Sequence, residues 1–429
     1  MDKLVMRWGL LAILAVAALP IRASAQTAPP PAPAPAPIAP VEPAPVAEPA
    51  PPPAATTEVA PPAAPVEMAP APAEPAPIAE VAPAAEAPAE EPAAPLPTVS
   101  GYVEAGYNIS FTDPNVAHPV PLRVYDAPGH SFALHAAHLA VAHKFNDNIS
   151  AVIEIDAGRD AAVNSGTLYP FTISPQFAFD VQEAYANYAA GGWTLTAGKF
   201  VTYEGIEVIE GPLNPTITRG LLFGLAEPFT HTGVKLHYQP VDEFNIGIGV
   251  VNGWDLIGDN NGMKTVIARI AVTPSDKFFA ALSGSVGSEQ PGDNEHHRMS
   301  IDLTGAITPS GSFQLWYQGN FGAETIPAMM GGPSTKATWW GLGLQPIVTA
   351  GDFTLGGRLE YFADPKGVRS TFAEGKFFNV TITPGIKLAG GFKLRAELRA
   401  DVAADKVLGK TSDPKKTQFT GALSAEYVF

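Results

Sequence analysis

Apolar and polar residues alternate over short segments along most of the chain, and this period constrains the fold more than any other feature. In the last segment, "FTGALSAEYVF", Phe429, Tyr427 and Leu423 fall on one face, whereas Glu426 and Ser424 fall on the other. A period of two predicts a β-strand with two different faces. Such a strand either covers a soluble core or separates lipid from a polar interior, so the remainder of the chain must decide.

Sixteen segments of residues 99–429 fit this period. The clearest are 99–111, 244–252, 278–287, 299–307, 313–321, 353–362, 378–388, 392–402 and the terminal segment. The weaker ones are 131–144, 149–157, 177–189, 193–200, 230–238, 264–273 and 338–347. Seven short connections alternate strictly with eight long ones. This alternation predicts an all-β fold, a transmembrane antiparallel up-and-down barrel of about 16 strands with both chain ends on the short-turn side.

An aromatic residue follows six of the seven short connections and begins the apolar face of its strand, and the last strand ends on an aromatic at the same level. Rings at one end of an apolar band are typical of the interfacial girdle of a membrane barrel. A soluble sandwich gives no reason for this repetition. The predicted membrane-girdle residues are Trp193, Phe244, Phe278, Phe313, Phe353, Phe392 and Phe429.

Charged side chains occupy the opposite face of several strands, most clearly in "FKLRAELRADV" (392–402). Such side chains require a solvated interior, and a barrel of this size is wide enough for an aqueous channel. The predicted pore-lining residues are Glu104, Lys235, Arg269, Arg358, Glu360, Lys387, Lys393, Arg395, Glu397, Arg399 and Asp401.

Two segments precede the barrel. Residues 1–25 carry Lys3 and Arg7, the apolar run "WGLLAILAVAAL" and "ASA", which predict a signal peptide cleaved after Ala25. Residues 26–98 contain 25 of the 45 prolines and nine Glu, but no Lys, Arg or aromatic residue. This composition predicts a disordered Pro/Ala/Glu-rich spacer in the periplasm, either inert or in contact with the cell wall. Residues 99–429 are expected to form the barrel in the bacterial outer membrane.

Composition and motifs argue against several kinds of site. The chain has no cysteine and no basic stripe, so we expect no disulfide, no thiol chemistry and no nucleic-acid partner. His135 and His138 are three residues apart and are predicted to face opposite sides of their strand, whereas His135 and His143 share a face but lie too far apart to bind one metal. Asp255 and the Gly/Asn-rich turn 258–262, which contains Asp259, lack the spacing and the distal Glu of a calcium loop. We therefore expect neither a metal nor a cofactor.

One stretch, "GKFVTYEGIEVIEGPLNPTITRGLLFGLAEPFTHTGVKLHY" (198–238), resembles the signature region of the OmpL-like outer-membrane β-barrel porin family. The matching elements are Gly198-Lys199-Phe200, Glu207 with Val208-Ile209, Asn214-Pro215, Arg219 with Leu221-Leu222-Phe223-Gly224, and "PFTHTGV" (228–234). The resemblance implies a porin but adds little about its cargo. The long Pro/Ala spacer departs from the family pattern.

The connection 201–229 is the longest, and its "GLLFGLAEPF" run would form an exposed apolar patch that needs cover. Folding into the barrel mouth would cover it and narrow the pore; the alternative is a cap packed over the outside. In the first case, acidic groups of the loop would face the basic strand wall across the narrowest section. The constriction-loop candidates are Glu204, Glu207, Glu210, Arg219 and Glu227.

These observations favour a porin that passes small hydrophilic solutes and ions by passive diffusion, without enzymatic activity. Two alternatives stay open: a surface receptor or adhesin that acts through the long outer loops, and a barrel enzyme, although no Gly-x-Ser-x-Gly motif occurs. The expected partners are outer-membrane lipids, the barrel assembly machinery and, by analogy with general porins, two further copies in a homotrimer.

Overall fold

Sixteen antiparallel strands close into one barrel in the computed structural model, which describes residues 96–113, 119–164, 178–327, 334–371, 375–410 and 412–429. Each strand pairs with its neighbours along the chain, and the first strand pairs with the last. The predicted fold class is confirmed. The predicted signal peptide and all but the last three residues of the predicted spacer lie outside the described residues. Within that part of the chain, no helix is long and apolar enough to cross a membrane.

All sixteen predicted segments coincide with barrel strands. The barrel strands are β1 (Thr98–Ser110), β2 (Ser131–Lys144), β3 (Ile149–Gly158), β4 (Ala178–Ala190), β5 (Trp193–Val201), β6 (Thr230–Val241), β7 (Phe244–Val251), β8 (Thr265–Ser275), β9 (Phe278–Ser288), β10 (His297–Ser310), β11 (Phe313–Ile326), β12 (Thr335–Ala350), β13 (Phe353–Asp364), β14 (Gly375–Lys387), β15 (Phe392–Ala403) and β18 (Thr417–Val428).

The long connections carry the remaining elements. These are the helices α1 (Arg159–Asn164) and α2 (Leu221–Leu225), and a small hairpin of β16 (Leu408–Lys410) and β17 (Asp413–Lys415). The connection 403–416 was expected to be a loop, but it contains this hairpin. Short 3₁₀ turns cover Gly211–Leu213 and Ala389–Gly391.

The short connections are tight turns at one end of the barrel. Between β4 and β5, Gly191 and Gly192 have φ angles of 57° and 82°. Positive φ at both central residues suits the two-residue turns that match the twist of paired strands. Both ends of the barrel sequence lie here, because the Phe429 amide donates to the Gly101 carbonyl at 3.0 Å and the Gly101 amide donates back at 3.1 Å.

The outer face of the barrel is apolar and the inner face is polar. Leu342 and Leu398 on the outer face are 59% and 60% exposed, and together with their neighbours they form an apolar band far larger than soluble monomers expose. The seven predicted girdle residues all lie on this face at the short-turn end, where Trp193 stacks on Tyr238 with ring centroids 4.3 Å apart. Their contact with lipid stays a prediction.

A β-bulge in β2 changes which histidines share a face. Glu104 of β1 pairs with Ala136 and Ala105 pairs with Leu134, so His135 is an extra residue between them. Because of this extra residue, His135 and His138 both lie buried on the inner face, and the prediction that they face opposite sides was wrong. The predicted shared face of His135 and His143 was also wrong, since the register places His143 on the outer face.

Candidate functional site

Residues 202–229, called the inner loop here, connect β5 to β6 and lie inside the barrel. Near the beginning of the loop, Glu204 accepts a hydrogen bond from Ser300 of β10 at 2.7 Å. The Gly205 amide donates to Asp302 of the same strand at 3.1 Å. Both partners are buried inner-face residues. The loop therefore does not form a cap over the outside of the barrel.

Arg358 of β13 is the main anchor of the inner loop. Its guanidinium forms an ion pair with Glu207 at 2.9 Å and donates to the Thr216 hydroxyl at 2.7 Å. It also donates to the Thr218 hydroxyl at 3.2 Å and to Asn379 of β14 at 3.2 Å. The side chain is 0% exposed. A buried guanidinium needs acceptors for its five donors, and the loop supplies most of them.

Two glutamates of the wall accept backbone amides of the loop. Glu397 of β15 accepts the Ile217 amide at 2.7 Å and the Thr218 amide at 3.2 Å. Glu360 of β13 accepts the amides of Leu221 and Leu222, the first residues of α2, at 2.7 and 3.1 Å. The first amides of a helix have no partner within the helix, so these carboxylate contacts stabilise the position of α2.

Two arginines of β15 bind carbonyl groups of the loop. Arg395 donates to the carbonyls of Asn214 at 3.0 Å and Thr216 at 3.1 Å, and Arg399 donates to the Arg219 carbonyl at 2.7 Å. Their charges are also paired within the wall. Arg395 contacts Glu104 and Glu426, and Arg399 contacts Asp401 at 2.9 Å. We call the inner face of β10–β15, with Glu104 and Glu426, the anchoring wall.

The remaining charged residues of the inner loop are also bonded. Glu227 accepts from Gln318 of β11, Glu210 accepts from Gln182 of β4, and Arg219 donates to the Val208 carbonyl at 2.9 Å. Burial raises the pKa of Glu204 to about 8, although the hydrogen bond from Ser300 opposes the shift. Burial also raises the pKa of Glu227 well above its usual value.

The apolar run "GLLFGLAEPF" of the inner loop is buried by apolar packing, as the sequence analysis required. Leu221 and Leu222 of α2 are 1% exposed and pack with the inner-face rings of Trp339 and Phe362 and with Trp254 of an outer loop. These inner-face aromatic residues, and Phe377 of β14, were missed by the sequence analysis, which expected only polar side chains inside. Large apolar residues at inward parity would have been the signal.

Residues of the outer loops, together with Arg298 of β10, contact the inner loop or the Trp254 ring that packs on it. The guanidinium groups of Arg298 and Arg369 lie 4.9 and 4.5 Å from the Trp254 ring. Arg369 donates to the Leu225 carbonyl at 2.7 Å, and Asp255 accepts the Phe229 amide at 2.6 Å. Arg123, in the connection after β1, forms an ion pair with Asp401 at 3.1 Å. No sequence pattern marked Arg123, because its role depends on a contact with a distant strand.

The structure places the predicted pore-lining residues on the inner face in two groups. Seven are at most 4% exposed because they are covered by the inner loop or paired within the anchoring wall: Glu104, Arg358, Glu360, Arg395, Glu397, Arg399 and Asp401. Lys235 and Arg269 are half-buried, Lys393 is half-buried and contacts Glu426 at 3.5 Å, and Lys387 is exposed at the short-turn rim.

The acidic loop residues were expected to face the basic wall across the narrowest section, and one such pair meets directly. Glu207 and Arg358 are in direct contact at 2.9 Å. Charges that leave water are stable only when they are paired and hydrogen-bonded, so the loop packs onto the wall that complements it.

The two inner-face histidines of β2 are paired with carboxylates. His135 Nδ1 lies 3.1 Å from Asp160 of α1, and His138 Nδ1 lies 2.8 Å from Asp156 of β3. Asp259, in the predicted Gly/Asn-rich turn, accepts the Asn261 amide at 2.9 Å. Among the described residues, no group of three or more His, Asp or Glu is arranged to hold a metal ion.

A closed sixteen-stranded barrel with an apolar outer face and a long loop folded inside defines an outer-membrane protein of the porin type. The family model described as "Putative beta-barrel porin-2, OmpL-like" matches residues 97–429, and the chain belongs to this family. The resemblance seen in residues 198–238 is thereby confirmed. A search of curated proteins finds no match to the chain.

Three solved structures with the same fold are distant from this chain in sequence. The anion-selective porin from Comamonas acidovorans is 11% identical, with a TM-score of 0.53 over 78% of this chain and 99% of that chain. The outer-membrane channel DcaP of Acinetobacter baumannii is 11% identical, with a TM-score of 0.53 over 78% and 97%. A trimer form of OmpT, an outer-membrane protein of Vibrio cholerae, is 12% identical, with a TM-score of 0.51 over 78% and 99%. At these identities the similarity shows the fold alone.

Proposed function

We propose that the protein is a porin through which small hydrophilic solutes and ions diffuse passively across the outer membrane. The observation that carries this proposal is the asymmetric packing of the inner loop. The loop bonds to the anchoring wall, where Arg358 and Asp401 are 0% exposed. On the opposite side, inner-face residues of β6 and β8 such as Lys235 and Arg269 stay half-buried.

The proposed passage therefore follows the inner face of β6–β8, which we call the free wall. The side chains of Lys235, His237 and Arg269 belong to the free wall. Tyr203 of the inner loop contacts this wall, with its hydroxyl 2.6 Å from His237 Nε2. In this proposal the inner loop is the constriction. The buried charges of the anchoring wall act by holding that loop in place, and the pore-lining role falls to the free wall, with Lys387 and Lys393 near the rim.

Several further features belong to the same proposal. The aromatic residues at the short-turn end contact lipid at the membrane boundary, and Phe429 takes part in barrel assembly by the outer-membrane machinery. The segment 26–98 is a spacer in the periplasm, where the chain enters the barrel beside the short turns. The protein has no catalytic activity and assembles as a homotrimer, since one solved protein of this fold is described in a trimer form.

Conductance of the purified, refolded full chain in planar bilayers tests the proposal. We expect stepwise, ohmic increases of current in potassium chloride from the folded, heat-modifiable species. The same preparation after heat denaturation is the control and should add no steps. A folded barrel that inserts without conducting would overturn the porin proposal and would favour a receptor or adhesin, for which binding to cells through the outer loops is the matching assay.

A further inference from the structure

We infer that the free wall carries a binding subsite for small carboxylate anions, formed by Lys235 of β6 and Arg269 of β8. This inference rests on the proposed porin function and names the class of solute that its passage favours. It starts from a difference in ion pairing among the described residues: cationic side chains of the anchoring wall pair with carboxylates, whereas Lys235 and Arg269 of the free wall do not.

Lys235 and Arg269 have no anionic partner in the described part of the chain. No carboxylate there lies within 4.0 Å of either side-chain charge, and neither charge donates a hydrogen bond. The buried Nε of Arg269 is without an acceptor. Buried donors in proteins are nearly always satisfied, so this guanidinium calls for an acceptor from outside the chain.

The strand register brings the two cations to one place. Lys235 lies opposite Gly249 of β7, and Gly247 of the same strand lies opposite Arg269. Two strand spacings put the two backbones about 10 Å apart, and the long side chains can both reach an anion between them. The intervening inner-face positions are Gly247 and Gly249, and the His237 ring and the Tyr203 hydroxyl pack over Gly247 between the two cations. A Cβ at Gly247 would lie 2.5 Å from the His237 ring.

Aromatic rings hold the cations without neutralising them. The Lys235 ammonium lies 4.0 Å from the centre of the Phe200 ring and 5.1 Å from that of Tyr203. The Arg269 guanidinium lies 5.8 Å from the centre of the Phe279 ring. Cation–π contacts stabilise a positive charge in a partly dry site, but they leave its hydrogen-bond donors available to a carboxylate.

The carboxylate of Glu183 of β4 interacts electrostatically with Lys235, but it is hydrogen-bonded to a backbone amide. It accepts the Val201 amide at 2.6 Å and does not form an ion pair with Lys235. The guanidinium of Arg269 presents parallel donors that match the two oxygens of a carboxylate, and Lys235 adds a point charge. The geometry thus fits a carboxylate better than a spherical anion.

The sign of ion selectivity separates this subsite from the overall charge of the protein. The formal net charge of the full chain is −16, which by itself would favour cations. Unpaired cations at the narrow section would favour anions instead, because low-dielectric walls focus their field. The proposal therefore expects an anion-selective channel in an acidic protein.

The test compares Lys235→Gln/Arg269→Gln with the parent chain and with Lys387→Gln, which removes an exposed inner-face charge at the rim. Reversal potential is measured in a potassium chloride gradient, and succinate is added to one side to block the chloride current. We expect anion selectivity and saturable block in the parent. The double variant should lose its anion preference and need about tenfold more succinate for half-block, a change of about 1.4 kcal/mol. The Lys387 variant, whose change lies outside the subsite, should keep the half-block concentration of succinate found for the parent.

Arg269→Lys separates charge from shape. It should keep the chloride preference while weakening the succinate block, because an ammonium lacks the parallel donors. Normal conductance with an unchanged reversal potential in the double variant would overturn the subsite and leave the porin function standing. A shift of selectivity without any succinate block in the parent would overturn the carboxylate assignment. A parent that does not conduct at all would overturn the porin function and the subsite together.

Discussion

The anchoring wall and the free wall both carry arginines on the inner face, but these arginines differ in burial and in ion pairing. On the anchoring wall, Arg358 is fully buried and bonded to Glu207 of the inner loop. On the free wall, Arg269 is half-buried, and its guanidinium lies 5.8 Å from the centre of the Phe279 ring. One arginine pairs with a carboxylate of the inner loop, and the other meets no carboxylate among the described residues.

The difference shows that inward parity alone does not define a pore-lining residue. A charge on the inner face of a barrel becomes structural when a loop covers it, because the loop must then supply every hydrogen bond that water supplied before. In the proposed passage, a charge that pairs with no loop carboxylate stays available to a solute. The path of the inner loop therefore decides the role of each charged residue on the sixteen strands.

Replacement of Arg358 by Met should have the largest effect, because it removes the main anchor and leaves Glu207 buried without its cation. Breaking a buried pair from one side costs about 3–5 kcal/mol. We expect the inner loop to leave the anchoring wall, which should raise the single-channel conductance and expose the loop to protease.

The double variant Arg358→Met/Glu207→Gln is the matched control, since it removes both charges and should recover part of the lost protection. A single variant with parental conductance and parental protease resistance would show that Arg358 is not an anchor and would remove the distinction between the two walls.

Arg395→Gln and Arg269→Gln form the next pair, in which the same change is made on each wall. We expect Arg395→Gln to lower the temperature at which the folded band disappears on heating, because Glu426 and two loop carbonyls lose their donor. Arg269→Gln should leave that temperature nearly unchanged. Equal thermal effects of the two variants would contradict the assignment of separate roles.

Glu204 predicts a smaller, pH-dependent change on the anchoring side. Its pKa is raised from 4.5 to about 8, so the folded state favours the neutral carboxyl. This contribution to loop docking is fully present below about pH 4.5 and is lost as the pH rises through about 8. Protease sensitivity of the inner loop should therefore increase from pH 6 to pH 9. Glu204→Gln should abolish the increase, and an unchanged pH profile in that variant would exclude Glu204 as its source.

Removal of residues 26–97 behind the same signal peptide should have the smallest effect. The barrel begins with β1 at Thr98, so a chain that starts there keeps both walls and the inner loop. We expect the same unit conductance and the same selectivity in bilayers. A sharp rise in conductance on truncation would mean that the spacer reaches into the barrel and contributes to the constriction.

Much of the fold could be read from local periodicity. Strand positions and the sixteen-strand barrel follow from alternation and connection lengths, because each strand must present one face to lipid and one to the interior. The histidine faces of β2 could not be read in this way. One extra residue at His135 reverses the parity of everything before it, and a bulge leaves no mark in a period-two pattern.

By itself, the sequence determined the class of the protein: a chain with alternating strands, aromatic residues at one end of those strands, and a specific family signature at residues 198–238. Only the tertiary structure decided which inner-face charges are structural and which stay free. Glu207 and Arg358 are 151 positions apart and meet at 2.9 Å, whereas Arg269 meets no carboxylate among the described residues. The reason is physical: a local pattern selects a face, but charge pairing depends on how a distant loop packs against that face.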